Sequence, residues 1–339
     1  MDLLFITDPP GKLKACKDTS VAMMRAAQAR GHAVSLSTSD DLVWNSGVVE
    51  ARATRIDLAP DDSLWYTSRG EERRHLADFD AVLMRQDPPF DMEYVSATWL
   101  LSAAERAGAR VFNAPRALRE HNEKLAIAEF PAFIVPTLVA RDMDSLHGFV
   151  DEHGDAILKP LDGMGGAGIF RVRRDDPNRN VIVETISALG RRTVMAQRFI
   201  PEIVHGDKRV LLIDGKPVPY TLARIPKPGE TRGNLAAGGR GVAQPLTARE
   251  REIAETLGPV LAARGLLLVG LDVIGDWLTE INVTSPTCFR EIQDQTSFDV
   301  SAMFVEALEA RSGKGVARSG SSGAGDASLP TPVTRKSPP

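Results

Sequence analysis

The sequence has little cysteine, no long apolar run and no large excess of either charge. Its 339 residues contain two cysteines, Cys16 and Cys288, too few and too far apart for a disulfide or zinc framework. No apolar run approaches the roughly 20 residues that cross a membrane, and the first residues lack signal-peptide features. With a net charge of −4 and both signs interspersed, no nucleic acid partner is expected. We expect free thiols in a reducing cytoplasm and no membrane association.

A length of 339 residues has room for about two or three domains, and a hydrophobic content of 43% is enough to build their cores. Residues 1–122 alternate apolar strand patterns with periodic helix patterns. Such alternation predicts a doubly wound parallel α/β domain. Ligands of these domains gather at the carboxyl ends of the strands. Those ends carry polar residues, which include Asp8, Lys17, Asp18, Ser20, Arg85 and Asp87.

A second unit begins with a predicted helix at residues 116–130 that carries Lys124. Further along, GMGGAG at residues 163–168 satisfies the dinucleotide pattern G-x-G-x-x-G. That pattern requires a helix after the glycines, but the strand-like IFRVRR follows. We therefore predict a glycine hairpin whose bare backbone N–H groups can close over phosphates. Lys159, four residues upstream, would bring an ammonium group to the same phosphates. A merely flexible turn is the alternative.

Residues 266–287 have the pattern of a strand, a turn near Gly275 and Asp276, and a returning strand. Glu280 and Asn282 are two residues apart and share one face. A two-residue turn would put Asp272 on the other face, whereas an odd-numbered or bulged hairpin would put it opposite Glu280. Facing carboxylates about 5 Å apart repel by about 3 kcal/mol at an effective dielectric of about 20. We expect the second arrangement, with a cation such as Mg²⁺ between the oxygens. An ordinary exposed hairpin is the alternative.

Three later features also bear on function. Predicted strands at residues 193–226 carry Arg209 and Arg224, and arginines that converge on one face favour an anionic ligand. Residues 225–241 are the longest aperiodic segment and include Arg232; a loop of this length is usually functional or disordered. Residues 312–339 are rich in Gly, Ser and Pro, and we predict a disordered tail there because the segment has too little apolar content to order.

Long stretches of the chain together resemble the bacterial glutathione synthetases of the ATP-grasp superfamily: KPLDGMGGAGIFRV, HGDKRVLLIDGKPVPYTLARIPKPGETRGNLAAGGRG and VGLDVIGDWLTEINVTSPTCFREI. The resemblance runs from about residue 3 to residue 311 and includes LMRQDPPFD. It implies an ATP-grasp fold preceded by the α/β domain at residues 1–122. The ATP-grasp part would comprise a small lobe at 123–195 and a large lobe at 196–311, with a lid at 225–241.

The resemblance also implies roles for individual residues. ATP binding is implied for Lys124, Lys159, Gly163, Met164, Gly165, Gly166, Gln197, Arg198, Phe199, Ile200 and Asp207. Positions near the transferred phosphate are matched by Arg209, Arg224 and Arg232. Substrate binding is implied for Lys17, Asp18, Ser20, Arg85, Asp87, Ser285 and Arg290. Asp272, Glu280 and Asn282 match the ligands of Mg²⁺ or Mn²⁺.

The implied reaction joins γ-glutamylcysteine to glycine through an acyl-phosphate, with ATP converted to ADP and phosphate, in a homotetramer. Three alternatives remain. Another ATP-grasp ligase would use a different acid and amine with the same phosphate machinery. A kinase is disfavoured because the lysine precedes the glycines and no H-R-D or D-F-G motif follows. A non-enzymatic ATP-binding module is disfavoured by the three metal-ligand residues. No general base stands out, and Cys288 lacks one beside it.

Overall fold

The computed structural model describes residues 1–230, 232–233, 235 and 238–313, in which three β-sheets are flanked by helices. The strands are β1 (Asp2–Ile6), β2 (Ala33–Ser37), β3 (Val43–Asn45), β4 (Val48–Leu58), β5 (Tyr66–His75), β6 (Ala81–Met84), β7 (Val111–Phe112), β8 (Thr137–Ala140), β9 (Asp155–Pro160), β10 (Phe170–Arg173), β11 (Val194–Arg198), β12 (Asp207–Ile213), β13 (Lys216–Ile225), β14 (Arg240–Pro245), β15 (Leu268–Ile274) and β16 (Trp277–Asn282). The α-helices are α1 (Thr19–Ala29), α2 (Met92–Arg106), α3 (Pro115–Glu120), α4 (Met143–His153), α5 (Arg179–Ile186), α6 (Ala248–Ala263), α7 (Phe289–Thr296) and α8 (Val300–Arg311). The predicted tail lies outside the described residues from residue 314 onward.

The first sheet has seven strands in the order β3-β4-β2-β1-β6-β7, with β5 paired to β4. Strands β2, β1, β6 and β7 run parallel. Side chains alternate across β1: Leu3 belongs to the same core as Met23 of α1, whereas Leu4 belongs to the same core as Leu101 of α2. Helices therefore cover both faces, and the doubly wound prediction is confirmed. The carboxyl ends of β1 and β6 meet at one edge, which leads into Asp8 and Arg85.

Strands β4 and β5 form a long antiparallel hairpin that we did not predict from the sequence. The β5 sequence, YTSRGEERRH, is polar on both faces, and most of its residues are exposed. Because neither face is buried, the period-2 hydrophobic signal of a strand is missing. This hairpin extends the sheet on the side away from β7 and β6.

The prediction of one helix over residues 116–130 is wrong. Helix α3 ends at Glu120, and a 3₁₀ turn occupies Leu125–Glu129. Between them, Oδ1 of Asn122 accepts hydrogen bonds from the backbone N–H groups of Lys124 (3.2 Å) and Leu125 (2.9 Å). Asparagine side chains compete for backbone donors in this way and interrupt helices. As a result, Lys124 lies on a turn instead of a helix.

The second sheet has four antiparallel strands in the order β10-β9-β11-β8. Helices α4 and α5 cover it, and the core between them contains Leu146, Leu158 and Val183. Residues 163–168 join β9 to β10, which are adjacent antiparallel strands, so the predicted glycine hairpin is confirmed. We call these residues the flap.

The third sheet has five strands in the order β14-β13-β12-β15-β16. Ile274 pairs with Trp277, so the β15–β16 turn has two residues, but Asp272 pairs with Glu280 and Val273 with Leu278. Thr279 is therefore an extra residue, a β-bulge that shifts the register. The prediction of a bulged hairpin with Asp272 opposite Glu280 is confirmed.

The second and third sheets occupy the regions predicted to be the small and large lobes. Strand β11 lies wholly in the four-stranded sheet, whereas the predicted boundary near residue 195 divides it. The division into lobes stays a prediction. No helix within the described ranges is long and apolar enough to cross a membrane.

Candidate active site

Two neighbouring cavities meet at the β15–β16 hairpin. The flap cavity lies between the flap, β9, β11 and the third sheet. The hairpin cavity lies between the hairpin, the turn that follows it and the first domain. Lys124, Gly163, Asp272 and Glu280 line both cavities. A ligand in one cavity can therefore contact a ligand in the other.

The structure brings together every residue predicted to bind ATP. All of them line the flap cavity: Lys124, Lys159, Gly163, Met164, Gly165, Gly166, Gln197, Arg198, Phe199, Ile200 and Asp207. Part of the lining is apolar and includes Ile157, Ile169, Phe199, Ile203 and Ile274. Lysines and carboxylates make up another part of the lining. A mixed lining of this kind suits a ligand with a flat apolar part and an anionic part.

Two buried lysines stand at the junction of the cavities. Nζ of Lys159 donates to the carbonyl of Thr279 (3.1 Å) and lies 3.4 Å from Oε1 of Glu280. Nζ of Lys124 donates to the carbonyl of Gly163 in the flap (2.5 Å) and lies 3.7 Å from the same glutamate oxygen. Burial lowers the pKa of the Lys159 ammonium, and the Glu280 carboxylate offsets part of that effect. The lysines concentrate positive charge beside the flap.

A network of buried arginines and carboxylates holds Asp272. Nε of Arg209 donates to Oδ1 of Asp272 (2.6 Å), and Nη2 of Arg224 lies 3.0 Å from its Oδ2. The same Arg224 atom lies 2.6 Å from Oδ2 of Asp207. Burial alone would raise the pKa of Asp272, but Arg209 and Arg224 outweigh it and hold that pKa well below its usual range. Burial raises the pKa of Asp207 to about 6, with Arg224 opposing the rise.

A glycine lets Arg209 reach Asp272. A Cβ atom on Gly270 would lie 2.8 Å from Cδ of Arg209 and 3.0 Å from Cβ of Pro286. Any other residue at position 270 would force the arginine to move. Hence the glycine in VGLD is part of the site.

The hairpin offers oxygen ligands that fit a hard cation. Asp272 and Glu280 are paired across the strands, Asn282 follows two residues later, and all three line the hairpin cavity. Nδ2 of Asn282 donates to the carbonyl of Gly270 (3.2 Å), which leaves Oδ1 to face a cation. No group of three or more His, Cys, Asp or Glu suited to a metal occurs among the described residues. Two carboxylates and an amide, with phosphate oxygens from a ligand, are the set that Mg²⁺ prefers.

The turn after the hairpin contacts the first domain. The hydroxyl of Ser285 donates to Oδ1 of Asp87, whose backbone N–H donates to Oδ2 of Asp8 (3.0 Å). Arg85 is buried; its Nη2 donates to the carbonyl of Pro286 (2.9 Å) and its Nε to the hydroxyl of Ser20 (3.2 Å). Burial lowers the pKa of the Arg85 guanidinium, and the Asp87 charge opposes that shift. Asp87 and Ser285 line the hairpin cavity, whereas Arg85 and Ser20 do not.

Five predicted substrate residues do not line either cavity: Ser20 and Arg85, and also Lys17, Asp18 and Arg290. Lys17 is exposed in the loop before α1. Asp18 caps α1, with Oδ1 accepting from the N–H of Val21 (2.9 Å), and burial raises its pKa. Arg290 lies on α7, 3.9 Å from Asp294.

The predicted lid joins β13 to β14 and lies over both cavities. Arg232 and Gly233 line the flap cavity, and Leu235 lines the hairpin cavity. A Cβ on Gly233 would lie 2.2 Å from the carbonyl oxygen of Arg224, so only glycine allows this close approach. Nε of Arg232 donates to Oε2 of Glu230 (3.1 Å). Residues 231, 234, 236 and 237 of the lid lie outside the described residues.

Glu123, which we did not predict from the sequence, also lines the hairpin cavity. Its Oε1 accepts three hydrogen bonds from Val283 and Thr284 in the turn after the hairpin. Its position next to Lys124 was the available signal. Cys288 also lines this cavity; burial raises the pKa of its thiol, with Arg209 and Arg224 opposing that rise.

Two family models match the chain. The model for the prokaryotic glutathione synthetase N-terminal domain matches residues 1–119, and the model for the prokaryotic glutathione synthetase ATP-grasp domain matches residues 123–297.

Similar proteins extend over nearly the whole chain. Glutathione synthetase of Bordetella parapertussis is 59% identical over 318 residues, which covers 92% of this chain and 100% of that protein. The Ralstonia nicotianae protein of the same name is 58% identical, with 93% and 97% covered, and the Pseudomonas aeruginosa protein is 53% identical, with 90% and 96% covered.

Solved structures share the fold at low identity. D-cycloserine synthetase has a TM-score of 0.66 at 16% identity, with 92% of this chain and 100% of that chain covered. A RimK-domain ATP-grasp protein of Sphaerobacter thermophilus has a TM-score of 0.59 at 18% identity, with 94% and 100% covered.

Proposed function

Because the chain belongs to the prokaryotic glutathione synthetase family, we propose that its flap cavity binds ATP and its hairpin cavity binds the two substrates to be joined. The protein is an ATP-dependent ligase with the ATP-grasp fold, and it joins γ-glutamylcysteine to glycine to form glutathione. The single observation that carries the assignment of the cavities is their junction, where Lys124, Lys159 and Glu280 meet.

ATP enters the flap cavity with its adenine against the apolar part of the lining, which includes Ile157, Phe199 and Ile274. Adenine is flat and largely apolar, which suits walls of this kind. The triphosphate then extends towards Lys124 and Lys159, under the flap. The glycines of the flap let backbone N–H groups approach the phosphate oxygens closely.

The first chemical step transfers the γ-phosphoryl group of ATP to the cysteinyl carboxylate of γ-glutamylcysteine. A carboxylate oxygen attacks the γ-phosphorus, the bond to the bridging oxygen breaks, and ADP leaves with the electron pair. Catalysis of such a transfer depends on positioning and on neutralising charge. Lys124 and Lys159 stabilise the transferring group, while Arg209 and Arg224 orient the carboxylate. Asp272, Glu280 and Asn282 would hold Mg²⁺ or Mn²⁺, which supplies charge that neutralises phosphate oxygens.

The second step uses the acyl-phosphate formed in the first. The glycine amine attacks the carbonyl carbon, phosphate leaves with the former carboxylate oxygen, and a peptide bond remains. Ser285, held by Asp87, helps to position glycine. The lid excludes water, which would otherwise hydrolyse the acyl-phosphate. Arg232 on the lid adds positive charge over the phosphates.

The outer residues complete the binding of γ-glutamylcysteine, whose glutamyl end carries both an ammonium and a carboxylate. This end would be bound by Lys17, Asp18, Ser20, Arg85 and Arg290, of which Arg85 is linked to the turn through the carbonyl of Pro286. We further propose that the protein assembles as a homotetramer. Light scattering on the purified protein tests this by measuring the molar mass, which should be four times that of one chain.

Phosphate release with ATP and Mg²⁺, with each co-substrate omitted in turn, tests the proposed function. Full release should require both γ-glutamylcysteine and glycine and should match glutathione formed. Release that requires a different acid or amine, or none, would contradict it.

A further inference from the structure

Glu123 and Lys124 run beside the outer edge of strand β16. The backbone N–H of Ile281 donates to the carbonyl oxygen of Glu123 (2.8 Å). Beyond the end of the strand, Oε1 of Glu123 accepts from the N–H of Val283 (2.9 Å), the N–H of Thr284 (3.1 Å) and the hydroxyl of Thr284 (2.8 Å). One carboxylate oxygen thus holds the first two residues after the strand.

The bond from Ile281 takes the place of a missing strand partner. Strand β16 is the last strand of the third sheet, so its outer backbone groups have no neighbouring strand within that sheet. Bonds from backbone N–H groups to a carboxylate are stronger than neutral ones. They fix the residues between Asn282, a proposed metal ligand, and Ser285, a proposed glycine contact. Asn113 also holds this turn, because its Nδ2 donates to the carbonyl of Val283 (2.8 Å).

The neighbouring Lys124 extends the connection to the phosphate side. Its Nζ donates to Gly163 of the flap and lies near Glu280 of the hairpin. Residues 123 and 124 therefore join three parts of the site: the flap, the hairpin and the turn that holds the second substrate. Asn122 keeps this pair on a turn, because its side chain accepts from the N–H of Lys124.

We propose that Glu123 is a positioning residue that places the turn at Val283, Thr284 and Ser285 so that the amine meets the acyl-phosphate. This inference rests on the proposed function. Without the carboxylate, the turn would lose three hydrogen bonds and Ser285 would move relative to the phosphates. Phosphoryl transfer would continue, and the acyl-phosphate would be lost to water more often.

The test compares Glu123→Ala, Glu123→Gln and a control, Glu129→Gln. Glu129 lies on the same stretch of chain and pairs with Arg264 at 2.6 Å, outside both cavities. For Glu123→Ala we expect the KM for glycine to rise about tenfold or more, because small misplacements are costly in an active site. Phosphate released per glutathione should exceed one, while the KM for ATP stays nearly constant. Glu123→Gln keeps an acceptor oxygen and should restore most of the coupling, and the control should match the wild type.

Several outcomes would overturn the proposal. Unchanged glycine KM and full coupling in Glu123→Ala would show that the turn does not need the carboxylate. An equal rise in the KM for ATP and the KM for glycine would show that Glu123 has a general structural role. If Glu123→Ala does not fold, Glu123→Asp takes its place, because its shorter side chain draws the carboxylate back from the turn. Poor coupling with an intact thermal midpoint in Glu123→Asp supports the proposal, and wild-type behaviour of that variant contradicts it. Failure of the wild-type protein to form glutathione would instead contradict the proposed function.

Discussion

Asp272 lies directly opposite Glu280 because strand β16 contains one extra residue, Thr279, between the turn and the glutamate. The turn itself has two residues, which without the bulge would put the carboxylates on opposite faces. Each carboxylate has its own cations: Arg209 and Arg224 pair with Asp272, whereas Lys124 and Lys159 lie near Glu280. The bulge therefore creates a pair of like charges that the surrounding cations stabilise.

Replacing Glu280 with glutamine should abolish metal-dependent ligation while the fold is kept. The change removes the charge but little volume, and it leaves Lys124 and Lys159 without their carboxylate. We expect glutathione formation to fall at least about 100-fold, as for loss of a key electrostatic group. Activity is measured against Mg²⁺ concentration, with circular dichroism to check the fold.

Asp276→Asn is the matched control for that change. Asp276 is an exposed carboxylate in the turn of the same hairpin, and its removal should leave activity unchanged. Near-normal turnover of Glu280→Gln at modest Mg²⁺ would refute the role of Glu280.

Replacing Gly233 with alanine should uncouple the two steps. The new Cβ cannot stay 2.2 Å from the carbonyl of Arg224, so the lid must lift at this point. We expect glutathione formation to fall several-fold more than phosphate release, since water would reach the acyl-phosphate. Both products are measured in the same reaction.

Pro228→Ala, an exposed change in the same segment, serves as the control. Equal losses of both products in Gly233→Ala would mean that the lid serves phosphoryl transfer itself. Full coupling would mean that residues 225–241 do not act as a lid.

Stability should depend on pH through Asp207. Burial raises its pKa from 3.8 to about 6 in the folded protein, so the folded state holds this proton more tightly than the unfolded chain. The stability gained from this tighter proton binding is fully present below about pH 4 and is lost as the pH rises through 6. Because 14% of the side chain is exposed, we expect a loss of about 1 to 2 kcal/mol.

The measurement is urea unfolding of the ligand-free protein and of Asp207→Asn between pH 4 and pH 7. The free energy of unfolding of the wild type, relative to the variant, should fall over this interval. A difference that is constant or that rises with pH would contradict the assignment.

Truncation after Gly313 should leave activity and thermal stability unchanged. Residues 314–339 contain too few apolar side chains to dock on the protein. Truncation after Arg311 should be worse, because Ser312 is buried and its carbonyl accepts from Nη1 of Arg110 (3.0 Å). Loss of its hydrogen bonds should cost about 1 to 2 kcal/mol. Differential scanning calorimetry compares the thermal stability of the two truncated chains. A loss of thermal stability on truncation after Gly313 would show that residues 314–339 contribute to stability.

Local patterns predicted much of the fold, and the exceptions have physical causes. The flap was recognisable because IFRVRR alternates as a strand, which excluded a dinucleotide-binding helix. Strand β5 was missed because it buries neither face. The break before Lys124 was missed because it depends on one side chain, Asn122, which takes the backbone donors of the following turn.

The site shows the same contrast. The residues that line the flap cavity were named from motif resemblance, and a parity argument predicted the bulge. Glu123 escaped notice because a glutamate beside a lysine is typical of an exposed turn. Its three hydrogen bonds are to residues 160 and 161 positions away, a relationship that local patterns do not reveal.

The fate of the carboxylate oxygens of γ-glutamylcysteine tests the central claim most directly. The substrate is labelled with ¹⁸O in its cysteinyl carboxylate and converted with ATP, Mg²⁺ and glycine. Activation as an acyl-phosphate predicts that one labelled oxygen passes to the released phosphate while the other stays in the new peptide bond. Glutathione formed together with phosphate free of label, the displaced labelled oxygen being recovered in water, would contradict the account.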